Sequence, residues 1–166
     1  MLRELAITDQ LTKLYNRLML DRTLEQEIGK AERYGSEFGV IMLDIDDFKS
    51  VNDNYGHQTG DKVLIEMAEL LQKYSRDADV VGRWGGEEIL IICPNSTREG
   101  IMVLAENIRQ KIEKNRFSEI DKITSSFGVA TYQKGDECSG LIYRADQALY
   151  RAKDKGKNRV ESLFGI

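Results

Sequence analysis

The sequence predicts an α+β domain of ferredoxin-like, or palm-type, architecture: a β-α-β-β-α-β core whose mainly antiparallel sheet is flanked by helices. Short apolar segments alternate with longer segments of helical periodicity in the order that this core requires. Two of the apolar segments stand on either side of a pair of glycines, as in a β-hairpin. An extra helix is expected before the core, and a closing helix and short strand at its C-terminal end.

The totals of the chain fit one globular domain. Its 166 residues can bury a proper hydrophobic core, and no low-complexity segment or internal repeat marks a linker. A net charge of −4 gives no broad basic face, so long nucleic acid is not an expected partner. No apolar run reaches the roughly 20 residues that span a membrane, and we expect no membrane contact from this segment. We expect the chain to lie in the cytoplasm. This expectation includes the case in which it is the cytoplasmic part of a larger, even membrane-anchored, protein.

The first half of the chain supplies helices and one central strand. Residues 1–8 are expected to be the tail of a linker helix from an upstream region, and residues 9–166 the domain itself. Apolar residues at helical spacing predict a helix over Arg17–Tyr34. The run Phe38–Ile45 is too short for a buried helix and predicts a strand. A helical stretch with a break follows, and its second half is expected to start near Gly60-Asp61, since an aspartate suits a first turn.

The second half supplies the hairpin, two helices and the last long strand. A turn at Gly85-Gly86 is expected to join two paired strands. The predicted segments are strands over Asp79–Trp84 and Glu88–Cys93, a helix opened by Thr97, a strand over residues 123–132, and a helix over Ser139–Lys155.

This strand order brings remote acids together. The first and third strands of such a core are antiparallel neighbours, so the end of the first lies beside the hairpin. Asp44, followed by Asp46 and Asp47, stands at that end, and Glu87 and Glu88 stand at the hairpin. Crowded carboxylates raise one another's pKa or require a cation, and such hard ligands suit Mg²⁺ shared with substrate phosphates. Two such ions can stabilise both the attacking and the leaving oxygen of a phosphoryl transfer. Solvated strand ends are the alternative interpretation.

Other residues have both a functional and an ordinary explanation. The candidate cations for a phosphate are Lys49, Lys153 and Lys157, although charges at a helix end are usually only solvated. Arg76 and Asp79 form an RxxD motif that an i,i+3 surface pair would explain equally well. His57, the one histidine, is more typical of a turn or cap than of a catalyst.

Together these segments resemble the GGDEF family, the diguanylate cyclases of bacterial signalling. The resemblance rests on LDIDDFKSVND, YGHQTGD, RWGGEEI, SSFGVA and RADQALYRAKDKGKN, which occur in family order and spacing between Asp9 and Val160. It implies that residues 9–166 are a GGDEF catalytic domain that condenses two GTP molecules into cyclic di-GMP and releases two pyrophosphates. Each subunit would hold one GTP and attack the α-phosphate of the other with a 3′-hydroxyl, so catalysis would need a homodimer. An upstream sensor or receiver region normally brings the subunits together.

The resemblance also implies a metal site. Asp44 and the carbonyl of Ile45 are similar to ligands of Mg²⁺ (or Mn²⁺), with two ions in each half-site. Glu87 is similar to a further ligand and to the base for the attacking 3′-hydroxyl. Glu88 is similar to the acid that assists at the metals. Ile89 stands where the family signature usually has phenylalanine, and we expect it to point into the core.

Substrate contacts are implied in the same way. Asn52 and Asp61 resemble the guanine readers, since an amide and a carboxylate complement the donors and acceptors of guanine. His57 matches the GH…GD loop and is expected to have an architectural part in substrate binding. Lys49 resembles a phosphate-binding residue and is counted with the two glutamates as catalytic. The full set of expected phosphate contacts is Phe48, Lys49, Gly85, Gly86, Lys153 and Lys157.

A regulatory site is implied by RxxD. Arg76 and Asp79 precede GGEE by five residues, which is the family spacing of the product-inhibition site for cyclic di-GMP. Arg98 and Arg109 are both candidates for a further arginine there, and the sequence does not choose between them. The alternative functions are a non-catalytic receptor of cyclic di-GMP and a GTP-sensing module. The intact signature and metal acids favour the cyclase.

Overall fold

The computed structural model describes residues 6–163, and within this range five strands form one sheet in the order β2-β3-β1-β4-β5. Neighbouring strands are antiparallel except β4 and β5, which are parallel. The strands are β1 Phe38–Ile45, β2 Val80–Arg83, β3 Glu88–Pro94, β4 Ser125–Thr131 and β5 Val160–Ser162, and the helices are α1 Arg17–Tyr34, α2 Phe48–Tyr55, α3 His57–Tyr74, α4 Arg98–Lys114 and α5 Cys138–Asp154. The predicted fold class is therefore confirmed. Most of the tail predicted for residues 1–8 lies outside the described residues, as do residues 164–166.

Two hydrophobic clusters fill the two faces of the sheet. Every residue of β1 is buried, and successive side chains of a strand point to opposite faces. Ile41 and Leu43 belong to the cluster covered by α3 and α4, while Val40 and Met42 belong to the cluster covered by α1 and α5. Ile89 is fully buried in the first cluster, as predicted. None of the helices in the described range is long and apolar enough to cross a membrane.

Local signals set most helix boundaries. The Asn16 side chain caps α1 by accepting a hydrogen bond from the Met19 amide, and Thr97 caps α4 in the same way. The predicted start of α3 near Gly60-Asp61 was wrong. The break falls at Gly56, whose φ of 92° ends α2, so α3 begins at His57 and Gly60 lies one turn inside it.

The turn between β2 and β3 is longer than the predicted turn, which consisted of Gly85 and Gly86. Residues 84–87 join the strands, and this segment is the signature turn. The amides of Trp84 and Gly85 donate to the Glu88 carbonyl at 2.9 and 3.2 Å. Among the described glycines, a positive φ occurs at positions other than Gly85 and Gly86. A left-handed backbone is therefore not the reason for glycine at these two positions.

Candidate functional site

The predicted meeting of remote acids occurs at one edge of the sheet. Asp44, near the end of β1, is the register partner of Glu88 at the start of β3, and on its other side it pairs with Ser126 of β4. Because β3 follows the signature turn directly, Glu87 also lies near this point. Asp44 is only 3% exposed, so its charge is largely removed from water.

The surroundings of Asp44 combine a cation with an unpaired acceptor. Its Oδ2 accepts a hydrogen bond from Lys153 Nζ, whereas its Oδ1 is buried and has no hydrogen-bond partner among the described residues. Burial raises the pKa of Asp44 to about 6; Lys153 opposes this rise, and the charges of Glu87 and Asp46 add to it. A buried carboxylate oxygen without a donor is suited to a cation.

The two signature glutamates are partly buried. Burial and then the charge of Asp146 raise the pKa of Glu88, while Lys153 and Arg17 oppose the rise. Within residues 6–163, no three histidine, cysteine, aspartate or glutamate side chains are grouped closely enough to hold a metal ion by themselves. A metal at this edge would therefore need oxygens from elsewhere, and Mg²⁺ usually takes such ligands from phosphates and water.

Asp46 is held by hydrogen bonds from three neighbouring groups. Its carboxylate accepts hydrogen bonds from the hydroxyls of Thr124 and Ser126 at 2.7 and 2.6 Å and from the Asn158 amide at 3.0 Å. These three donors satisfy the buried charge and fasten the loop after α5 to the end of β1. Asp46 still lies close enough to Asp44 for its charge to add to the rise in the Asp44 pKa.

The predicted phosphate-binding lysines lie beside acids. Lys153 comes from the last turn of α5 and binds Asp44. Lys157 follows Gly156, which has a φ of 122°, and its Nζ lies 2.6 Å from a carboxylate oxygen of exposed Asp47. That hydrogen bond raises the pKa of Lys157. Lys49 is exposed in the first turn of α2. Lys153 and Lys157 thus border the acidic edge, and Lys49 lies two residues after Asp47 in the sequence.

The predicted guanine readers lie where α2 packs against α3. An added Cβ at Gly60 would stand 1.9 Å from Asn52 Oδ1 and 3.2 Å from Phe48 Cζ. Because Gly60 has no side chain, the Asn52 amide can pack against α3 at this position. Asp61, which follows Gly60 in the sequence, is exposed. His57 is exposed as the first residue of α3.

Sequence reasoning missed an arginine that holds the signature turn. The Arg83 guanidinium donates to the Gly86 carbonyl at 2.7 and 3.0 Å and to the Gly85 carbonyl at 3.3 Å. Its Nη1 reaches a carboxylate oxygen of Asp9 at 3.3 Å. Thr12 donates to the same carboxylate through its amide and hydroxyl. Both charged residues belong to recognised motifs, but sequence gives no reason to pair residues that are 74 positions apart.

The RxxD motif lies at the opposite end of the sheet. Arg76 donates from Nε and Nη2 to Asp79 and from Nη2 to the Pro94 carbonyl. The Asp79 side chain is completely covered, and its carboxylate lies 2.6 Å from Arg76 Nη2. Arg109 binds Glu106 and Asn158, and Asn158 belongs to the loop at the acidic edge.

Comparison with known proteins reveals a clear likeness. Residues 6–159 match the family described as "Diguanylate cyclase, GGDEF domain". Diguanylate cyclase DgcP of Pseudomonas aeruginosa is 41% identical over 162 residues, which cover 96% of this chain and 24% of DgcP. Diguanylate cyclase VdcA of Vibrio cholerae is 40% identical over 164 residues, which cover 95% of this chain and 47% of VdcA. The chain thus spans less than half the length of these relatives.

A solved structure has the same fold. The coiled coil and GGDEF domain of DgcB from Caulobacter crescentus, crystallised in complex with c-di-GMP, matches with a TM-score of 0.92 and 34% sequence identity. The match covers 98% of this chain and 88% of the DgcB chain.

Proposed function

The chain belongs to the GGDEF family, and from this premise we propose that it condenses two molecules of GTP into cyclic di-GMP with release of two pyrophosphates. One observation carries the proposal: Asp44 is paired with Glu88 beside the signature turn, and Lys153 reaches the same carboxylate. Acids that can bind a divalent ion and a cation that can bind phosphate therefore share one edge of the sheet. The cyclic di-GMP bound to DgcB supports the choice of product.

The donor set at this edge fits Mg²⁺ (or Mn²⁺). Asp44 offers a buried oxygen that has no partner among the described residues, and we propose that the Ile45 carbonyl, Glu87 and Glu88 are the other ligands. When bound, two such ions would stabilise negative charge on the attacking 3′-oxygen and on the leaving pyrophosphate oxygen. The protein oxygens are few, so the phosphates of GTP would complete the coordination.

The lysines would change partners when GTP binds. Lys153 would leave Asp44, and Lys157 would leave Asp47, to bind the β- and γ-phosphates. Lys49, in the first turn of α2, would add charge beside amides that favour anions. Gly85 and Gly86 would let the signature turn approach the triphosphate. These residues act through position and charge, the main means of catalysis in phosphoryl transfer.

Base recognition and proton transfer use separate residues. Asn52 and Asp61 would bind the guanine, with Phe48 packed beneath Asn52 against Gly60. We propose that Glu87 accepts the proton of the attacking 3′-hydroxyl.

The reaction needs two copies of the chain. Each copy has one guanine site and one acidic edge, so the two phosphodiester bonds of the ring require two facing subunits. An upstream sensor or receiver region would control how these subunits meet. Cyclic di-GMP would inhibit the reaction by binding at Arg76 and Asp79.

The proposal is tested with the chain dimerised through a fused coiled coil and incubated with GTP and Mg²⁺. We expect cyclic di-GMP and pyrophosphate in a 1:2 ratio by chromatography and mass spectrometry. Glu87→Gln should lower turnover by about 10²–10⁴-fold, the usual contribution of a general base, and leave the melting temperature near that of the parent.

Other outcomes would identify the alternatives. Binding of cyclic di-GMP without turnover would make the chain a receptor, and binding of GTP without turnover would make it a nucleotide sensor. Parental turnover in Glu87→Gln would contradict the role of Glu87 as base.

A further inference from the structure

A cavity of about 390 Å³ lies against the RxxD motif, far from the acidic edge. One wall consists of Arg76, Asp79 and Gln72 at the end of α3. Lys13 and Tyr15, which precede α1, also line the cavity and form a second wall. Neither residue was predicted from the sequence to contact a ligand.

The second wall is fixed to the sheet by its backbone. The Tyr15 amide donates to the Val81 carbonyl at 3.3 Å, and the Arg83 amide donates to the Tyr15 carbonyl at 2.8 Å. Tyr15 therefore extends the sheet beside β2, and the residue, which is 39% exposed, lines the cavity. A ring held by a fixed backbone is a suitable surface for a flat ligand to stack on.

Lys13 brings a charge that has no partner within the described part of the chain. Its side chain is exposed and makes no hydrogen bond or ion pair within residues 6–163. Arg76, by contrast, is occupied by Asp79 and the Pro94 carbonyl. Lys13 is thus the cation of the cavity that is ready to meet an anion without breaking an existing contact.

The mixed charge of the cavity restricts the ligand. Lys13 and Arg76 are balanced by Asp77 and Asp79, so a simple anion would meet repulsion as well as attraction. A ligand that carries phosphates together with N–H donors would satisfy both signs. A guanine nucleotide has this combination, because its base presents N–H groups that a carboxylate can accept.

We propose that Lys13 and Tyr15 form a second wall of the product-inhibition site, where Lys13 binds a phosphate of cyclic di-GMP and Tyr15 stacks on one of its guanines. The inference rests on the proposed function, which takes RxxD as the inhibition site. It adds the N-terminal segment to that site.

Lys13→Gly is the sharpest test, because Lys13 has a φ of 65°, a conformation that glycine adopts without strain. The variant removes the ammonium group and keeps the backbone. In calorimetric titrations of the purified chain with cyclic di-GMP at 0.1 M salt, we expect about fivefold weaker binding, which is about 1 kcal/mol at 1.4 kcal/mol per tenfold. Lys13→Arg should bind within about twofold of the parent, since it keeps the charge.

Controls separate charge from structure. Lys114→Ala, at an exposed site in the last turn of α4, should bind like the parent. The difference between Lys13→Gly and the parent should shrink at 1 M salt, where the screening length is about 3 Å. Cyclic di-AMP has the same phosphates with a different base and should bind more weakly than cyclic di-GMP.

Two results would overturn the inference in different ways. Parental affinity in Lys13→Gly together with lost binding in Arg76→Ala would reject the second wall and leave the RxxD site intact. Parental affinity in both variants would reject the RxxD site as well. Neither result bears on turnover of GTP, which the dimerised chain tests separately.

Discussion

At the scale of single residues, Gly60 is where packing and base recognition meet. Its missing Cβ is replaced in space by the Asn52 side-chain oxygen, which would lie 1.9 Å from an alanine methyl group. In Gly60→Ala the Asn52 amide must rotate away, because it is the mobile end of the contact. We expect GTP to bind about tenfold more weakly, a loss of about 1.4 kcal/mol that corresponds to one lost hydrogen bond. Titration with a non-hydrolysable GTP analogue measures this.

Gly29→Ala is the matched control for this prediction. Gly29 also lies inside a helix, but nothing is within 4 Å of its added Cβ. The substitution should stabilise the fold by up to about 1 kcal/mol through helix propensity and leave GTP affinity unchanged. If Gly60→Ala bound the analogue as tightly as Gly29→Ala does, Asn52 would have no part in guanine binding.

Residues differ in how far sequence alone can assign them. The meeting of Asp44 with Glu88 was predictable, because it follows from strand order alone. The hydrogen bonds of Asp46 were not, because they depend on the hydroxyls of Thr124, just before β4, and Ser126, within β4. The pairing of Lys153 with Asp44 likewise depends on how α5 packs across the sheet.

At the scale of elements, Arg83 and Asp9 connect the N-terminal segment to the signature turn. Burial raises the pKa of Asp9, but the hydrogen bonds from Thr12 and the Arg83 charge outweigh it, so the pKa lies below its ordinary value. Asp9→Asn keeps the shape and removes the charge. We expect the free energy of unfolding at pH 7 to fall by about 1 kcal/mol, since the pair is only partly buried. Turnover should also fall, because Arg83 would hold the glycine carbonyls less firmly.

The lowered pKa of Asp9 determines how the stability difference between the parent and Asp9→Asn changes with pH. The pKa of Asp9 is lower in the folded state than in the unfolded state. The ionised carboxylate therefore makes its full contribution to stability above the unfolded pKa near 3.9, and this contribution is lost as the pH falls through the folded-state pKa. The stability difference between parent and Asp9→Asn should therefore shrink below about pH 4. Asp121→Asn is the control, because Asp121 meets Arg116 at 3.9 Å on an exposed surface. An equal loss of stability in both variants, or a loss in Asp9→Asn that persists in acid, would argue against a stabilising pair between Asp9 and Arg83.

Elements were predicted best where the signal is periodic. The bounds of α1 and β1 agree with the sequence prediction, since each has a continuous apolar pattern. The start of α3 and the length of the signature turn did not agree. At α3 the positive φ of Gly56 sets the break one turn earlier than predicted, and at the signature turn Arg83 binds the Gly86 carbonyl.

At the scale of the whole molecule, the proposed chemistry exceeds what one copy can perform. The product has two equivalent halves, and an isologous dimer would present two equivalent half-sites to make them. The fold of one copy was predictable from its sequence because each strand and helix carries its own pattern. The proposal of a dimer comes only from the resemblance, because the acids and lysines of one edge do not show which surface a second copy would meet.

The dimer requirement predicts a dependence on protein concentration. Below the dissociation constant of the dimer, the fraction of paired chains rises with concentration, so the rate of cyclic di-GMP formation per chain should rise in proportion. The chain fused to a coiled coil should show a constant and higher rate per chain over the same range, because its pairing is no longer limited by encounter. Sedimentation at each concentration gives the paired fraction independently, and rate should follow that fraction. A rate per chain that stays constant while sedimentation reports monomers would mean that one copy closes both phosphodiester bonds, and the facing-subunit mechanism would have to be abandoned.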